Sequence, residues 1–279
     1  MKIYHTTAGI VIAHNDECFL SLEKDWDVFI NRDHLYRQLK EEVATLTRAG
    51  GPEWLEQQQI LAPVGTQEIW AAGVTYLRSK TARMEESRDS GGATFYDKVY
   101  EAARPELFFK SVGSKVMGHR QPVRIRKDST WNVPEPELTL VINRSGTIAG
   151  YTIGNDMSSR SIEGENPLYL PQAKVYDGSA AIGPCVLVSD KPLSPDTVIS
   201  MLISRQNNTV FEGSVAISQM KRSHQELVDY LYRESSFAGG ACLMTGTCVV
   251  PDSDFTLAAG DVITIHIEGI GTLVNTVAT

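Results

Sequence analysis

From Glu106 to its C-terminus this 279-residue chain consists almost wholly of short apolar runs separated by turn-forming residues. Leu138–Ile142 and Thr147–Ile153 flank Asn143–Gly146, and Val198–Arg205 and Thr209–Phe211 flank Gln206–Asn208, so each pair reads as a hairpin. In the tail, Ile263, Ile265 and Ile267 alternate with Thr264, His266 and Glu268, the two-residue period of a half-buried strand. One helix interrupts, from Ser223 to near Glu234, opened by a capping box of Ser223 and Glu226. Strands without regular helical crossovers argue against a doubly wound nucleotide fold or an α/β barrel. Neither a GxGxxG nor a Walker A sequence is present. The expected class is α+β, mainly β.

The first sixty residues read differently. Residues 2–22 suggest short strands around a turn at Asn15-Asp16, followed by a helix whose stripe is Leu35, Leu39, Val43 and Leu46, with Asp33 as N-cap. Gly50-Gly51-Pro52 should stop that helix, leaving Glu53–Gln59 as a polar connector. A boundary near residue 60 would separate a small N-terminal α+β domain, residues 1–60, from a β-rich catalytic domain, residues 61–279. The latter opens with a strand-like run, Glu68–Val74. The segment Arg78–Gly92, dense in charged and hydroxyl side chains, is either a mobile lid or a solvated surface helix. Another helix should follow, capped by Thr94 and Asp97, with Phe95, Val99 and Ala103 as its stripe.

A net charge of −8 and a pI of about 5.3 disfavour polyanions such as nucleic acid, which require a basic surface. A small anionic substrate stays compatible, because one bound cation reverses the local field. The apolar run Gly9–Ala13 is too short for a signal peptide, and no stretch reaches the length of a membrane span. Cys18, Cys185, Cys242 and Cys248 show neither CxxC spacing nor a disulfide framework, which suggests reduced core thiols and a cytoplasmic protein.

The sharpest chemical feature is Pro134-Glu135-Pro136-Glu137, which leads straight into a strand. Residues two apart on an extended chain share a side, so the two carboxylates converge. Such a pair repels unless a cation intervenes or one member stays protonated. Taken alone, it reads as solvated charge on an edge strand, where proline also belongs. Asp156 shifts that balance, because the hairpin carries it back toward the two glutamates. Three carboxylates without histidine or cysteine suggest a hard cation, Mg²⁺ or one like it. Lys174 comes next in the chain: a lysine near a bound metal and a carboxylate substrate could pair with developing enolate charge, with Asp177 able to orient it. A lone K-x-x-D is more often a surface ion pair.

These pieces together resemble the fumarylacetoacetate-hydrolase superfamily. The resemblance rests on PEPELTLVI, GYTIGNDMSSRSIEGENP, LPQAKVYDGSAAIGP and the terminal TGTCVVP and AAGDVITIHIEGIGTLVNTV, and covers roughly residue 65 onward. It implies a mixed β-sandwich roll assembled as a homodimer or homotetramer. It also implies that Glu135, Glu137 and Asp156 bind Mg²⁺ (with Mn²⁺ or Ca²⁺ as substitutes), that Lys174 is catalytic, and that Thr247 of the Thr245-Gly246-Thr247 loop binds substrate. Thr75 and Tyr76, in the superfamily's G-x-N-Y region, are implied as further substrate contacts.

Carbon–carbon hydrolases of the superfamily carry G-x-N-Y-x-x-H-x-x-E, whereas this chain has Ser79 and Ala82 at the histidine and glutamate positions. Neither can activate water. The pieces YDKVYEAARPELFFK, WNVPEPEL, IEGENPLYLPQAKVYDG and FEGSV are instead similar to the superfamily's branch of 2-keto-3-deoxy-D-arabinonate dehydratases. In that branch the glutamate of R-P-E is an acid/base, a role that falls here on Glu106. The implied reaction is metal-dependent dehydration of a 2-keto-3-deoxy sugar acid to 2-oxoglutarate semialdehyde. The alternatives are hydrolysis of an acylpyruvate or a 2,4-dioxo sugar acid, or a non-catalytic binding protein with a vestigial site.

Overall fold

The computed structural model describes residues 1–77 and 98–278. The expected lid Arg78–Gly92, the cap Thr94/Asp97, and Ser79 and Ala82 all lie outside the described residues.

Fifteen strands form two sheets among the described residues. The larger sheet is centred on β8 (Asn132–Ile142) and β9 (Ile148–Ser159), the hairpin read from sequence. Asn143 makes the turn, its side-chain oxygen accepting from the backbone N–H groups of Ser145 and Thr147. Beyond β9 come β10 (Ala180–Leu187) and then the N-terminal strands β1 (Lys2–Thr6), β2 (Gly9–His14), β3 (Glu17–Leu20) and β4 (Arg48–Gly50). Beyond β8 come β13 (Ala241–Met244), β5 (Glu68–Gly73) and β6 (Glu106–Val112). The smaller sheet runs β12 (Asn208–Ala216), β11 (Val198–Arg205), β14 (Val262–Ile267), β15 (Gly271–Ala278) and β7 (Pro122–Arg124).

Alternation assigns the two faces of the large sheet. Leu138, Leu140, Tyr151 and Ile153 pack against Ile199, Met201, Ile203, Ile263, Ile265 and Ile267 of the small sheet. On the other face, Val141, Ile182 and Met244 join Ile10, Ile12, Phe29 and Leu39. Every residue of β8 is consequently buried. This is the expected mainly β, α+β sandwich roll.

The N-terminal segment annexes itself to the same sheet, with Lys2 and Ile3 of β1 paired to Leu187 and Val186 of β10. Its helix begins at Leu35 as expected but ends at Val43, leaving Leu46 of the expected stripe outside it, and the N-cap is His34, not Asp33. The Asp33 side chain instead accepts from Asn143 in the β8–β9 turn, tying the helix to the hairpin. Where Glu53–Gln59 was expected as a connector, Pro52–Glu56 forms a short helix, because proline at its start fixes a helical φ where no N–H is needed. The helix His224–Leu231 has Ser223 as N-cap, accepting from the Glu226 N–H.

Candidate metal centre

The β8–β9 register assembles the carboxylates. Glu135 pairs directly with Asp156, and Glu137 pairs with Gly154. Asp156 lies within β9, not past its end, so the ladder itself sets the Glu135–Asp156 distance. Opposite Glu137, Gly154 lets Thr139 and Met244 pack close to the ladder: a Cβ there would stand 2.4 Å from Thr139 Oγ1 and 3.1 Å from the Met244 side chain. All three acids are buried, and ligand oxygens of Glu135, Glu137 and Asp156 lie within 4.8 Å of one another.

Buried cations answer this charge. Lys174 ends the short helix Leu170–Lys174, and its ammonium donates to Glu135 Oε2 (2.8 Å), Asp156 Oδ2 (2.9 Å) and Ser158 Oγ. Lys110 Nζ stands 2.6 Å from Asp156 Oδ1 and donates to the carbonyls of Met157 (2.9 Å) and Lys174. Arg160, at the start of the helix Arg160–Glu165, donates to Glu135 Oε1 at 2.7 Å. Asp177 pairs with Lys115 at 3.0 Å on the surface, so it does not orient Lys174.

The ionisation pattern follows the partners. Burial, then the charges of Asp156 and Glu135, push the Glu137 carboxyl well above the usual range, although the Gly246 N–H and Lys174 oppose the rise. Burial would also raise Asp156, but the ammonium groups of Lys110 and Lys174 outweigh it and hold the carboxyl low. Burial lowers Lys110 to about 8 against the pull of Asp156. Glu137 therefore carries the uncompensated repulsion, the condition that a divalent cation relieves. An all-oxygen donor set around it suits a hard ion such as Mg²⁺.

Two loops complete the cleft. β13 pairs Met244 with Thr139, so Thr245-Gly246-Thr247 runs past the start of β8. The Gly246 N–H donates to Glu137 Oε2, and Thr245 Oγ1 donates to the Leu138 carbonyl. After β5, Val74 adopts the left-handed φ of 52°, strained for a β-branched side chain. That turn delivers the Thr75 hydroxyl to the Thr245 carbonyl at 2.7 Å. Ala72, Gly73, Val74 and Phe108 line the cleft with the three carboxylates, Arg160, Gly246, Thr247 and Val250.

Thr247 thus stands where a substrate contact was expected, beside the acids. Thr75 and Tyr76 do not line the cleft. The Thr75 hydroxyl is committed to the loop, and Tyr76 is packed in the core between the sheets. Glu106 pairs with Gly73 across β5–β6, and its carboxylate lies over that glycine, where a Cβ would meet Oε2 at 2.1 Å. Lys110 and Arg160 were missed from sequence. Their long side chains reach the centre from other elements, and the one available signal was their place inside quoted motifs.

Comparison with known proteins follows the same lines. The family model "Fumarylacetoacetate (FAA) hydrolase C-terminal" matches residues 69–278. The chain belongs to the fumarylacetoacetate hydrolase family. A family relative from Haloferax volcanii, a probable 2-keto-3-deoxyxylonate dehydratase, is 50% identical over 218 residues, 78% of this chain and 74% of the relative. The 2-dehydro-3-deoxy-D-arabinonate dehydratase of Saccharolobus solfataricus is 41% identical over 221 residues, again 78% of this chain and 74% of that one. A solved structure of 2-keto-3-deoxy-D-arabinonate dehydratase complexed with magnesium and 2,5-dioxopentanoate superimposes with a TM-score of 0.85 at 34% identity. It covers 100% of this chain and 99% of that one.

Proposed function

We propose that this chain is a metal-dependent dehydratase that converts a 2-keto-3-deoxy-pentonate, such as 2-keto-3-deoxy-D-arabinonate, into 2,5-dioxopentanoate (2-oxoglutarate semialdehyde) and water. The observation that carries this reading is the convergence of Glu135, Glu137 and Asp156 within 4.8 Å in a cleft lined by Gly73, over which the Glu106 carboxylate lies. The two dehydratase relatives bear different sugar names. Within the D series, C4 is the sole stereocentre left after C2 is oxidised and C3 deoxygenated. D-arabinonate and D-xylonate share its configuration, so those two names describe one compound.

In this reading Glu135, Glu137 and Asp156 hold Mg²⁺, with Mn²⁺ or Ca²⁺ as substitutes. The ion, when bound, supplies electrophilic pull on the 2-oxo acid and so acidifies the protons at C3. Lys174 offers its ammonium to the negative charge that develops at the C2 oxygen. Glu106 protonates the hydroxyl leaving C4; a proton moved from C5 to C3 then gives the C4–C5 enol, which becomes the aldehyde as C4 gains a proton and the enol hydroxyl loses one. Loss of one proton and one hydroxide balances as water, with no oxidant required. Thr247 contacts substrate directly, Thr75 acts through the Thr245–Thr247 loop, and Tyr76 supports the cleft from the core.

Turnover of 2-keto-3-deoxy-D-arabinonate with Mg²⁺ should release 2,5-dioxopentanoate and no shorter fragment. Glu106→Gln should bind substrate and turn over at least about 100-fold more slowly. Cleavage of an acylpyruvate to pyruvate at comparable kcat/KM would overturn the reading in favour of the hydrolase. Among the described residues no helix is long and apolar enough to cross a membrane. We further propose a cytoplasmic homo-oligomer, dimer or tetramer, with light scattering as the test of size. The four buried free thiols are compatible with that compartment.

A further inference from the structure

Lys110 stands out because nothing in the dehydration scheme uses it. It is fully buried, which a lysine rarely is unless paired. The β5–β6 ladder pairs Trp70 with Phe109 and Ile69 with Ser111, so Lys110 is the residue without an opposite number. This is a β-bulge, a device that re-aims a side chain out of the regular alternation. The re-aimed ammonium meets Asp156 Oδ1 at 2.6 Å, while Lys174 takes Oδ2 at 2.9 Å. The same ammonium donates to the carbonyls of Met157 and Lys174. The Lys174 carbonyl closes a helix of five residues, where carbonyls have no partner inside the helix.

We propose that Lys110 is a positioning residue that fixes a metal-ligating carboxylate and the backbone of the catalytic lysine relative to each other. The inference rests on the reading of Glu135, Glu137 and Asp156 as metal ligands. A mere counter-charge would need no bulge and no bond to the Lys174 carbonyl. A positioning group needs several fixed contacts, and Lys110 makes one to a carboxylate and two to backbone on separate elements. Partners behind a ligand set its orientation, and their removal commonly weakens metal binding by about 10–100-fold.

The test uses metal-stripped protein titrated with Mn²⁺, the free aquo ion being read by electron paramagnetic resonance. Steady-state kinetics on 2-keto-3-deoxy-D-arabinonate at saturating Mn²⁺ complete it. Wild type should bind one Mn²⁺ per chain. Lys110→Met, similar in length but uncharged, should bind it about 10–100-fold more weakly. Its kcat should remain depressed at saturation, with KM little changed, because Lys174 is also displaced. Lys110→Arg keeps the charge but not the single-point geometry, and should fall between the two. It decides the matter if Lys110→Met does not fold. Lys110→Met binding Mn²⁺ as tightly as wild type, or more tightly, overturns the proposal, since loss of a mere counter-charge favours the cation. Wild-type kcat at saturating Mn²⁺ overturns the link to Lys174. Wild-type affinity and kcat in Lys110→Arg overturn positioning in favour of charge. Failure of wild type itself to bind Mn²⁺ would refute the ligand assignment, and the proposal with it, before any variant is compared.

Discussion

Lys174 contacts Glu135 and Asp156 through the same ammonium, so at the scale of single residues it has two effects of opposite sign. It neutralises the acids while the centre holds no ion, and it competes with a cation for their oxygens. Its proposed catalytic role predicts that Lys174→Ala lowers kcat by roughly 10²–10³-fold, the range seen for loss of one group that stabilises developing charge. Its competing role predicts that the same variant binds Mn²⁺ no more weakly than wild type. Calorimetric titration with Mn²⁺ beside steady-state kinetics checks both. Parallel loss of binding and turnover would mean that the lysine chiefly orders the ligands.

Among elements, two glycines separate a functional from a structural requirement. A Cβ at Gly73 would meet the far end of the Glu106 side chain, which can swing away. Gly73→Ala should therefore leave Tm nearly unchanged while lowering kcat at least tenfold, because the proposed acid is displaced. At Gly246 the φ is +97°, and a Cβ would stand 2.0 Å from Thr75 Oγ1 and 3.0 Å from the Ala72 carbonyl. Gly246→Ala should cost about 2–3 kcal/mol, by strain and by loss of the loop's hold on Glu137. Thermal melts and kinetics of the pair, taken together, distinguish the two requirements. The hairpin and its carboxylates were legible because they depend on local alternation: Glu135 and Glu137 share a face, and a tight turn returns Asp156. Lys110 was not legible, because a bulge breaks the two-residue period that locates side chains. Nor was the reach of Arg160, which sits past the β9 ladder at the start of a helix, or the pairing of β1 with β10, which joins segments far apart in the chain. Pro52–Glu56 was misread because a glycine pair hides the start of a helix behind a stop signal.

At the level of the molecule, the ten-stranded sheet makes the centre part of global stability. We read residues 1–60 as an α+β unit annexed to the catalytic remainder through β10, the strand next to Asp156. The raised Glu137 carboxyl gives a definite pH dependence. In the unfolded chain this group ionises near about 4.3. Between that pH and its higher folded value the folded state binds the extra proton, so stability falls as pH rises and then levels off. Metal-free Glu137→Gln should accordingly have a higher Tm than metal-free wild type at pH 8. Mg²⁺ should raise the wild-type Tm, by about 2.7 kcal/mol in stability at 100 times its Kd, and should raise that of Glu137→Gln far less. Equal increments in both proteins would remove Glu137 from the ligand set. Lys110, Lys174 and Arg160 already answer the charges of Glu135 and Asp156, and the raised Glu137 carboxyl can keep its proton. A polypeptide whose inner acids are paired or protonated can complete its fold before any ion arrives. Loading then comes after synthesis and is reversible, so the cell's metal supply, not the folding step, chooses which ion the enzyme carries.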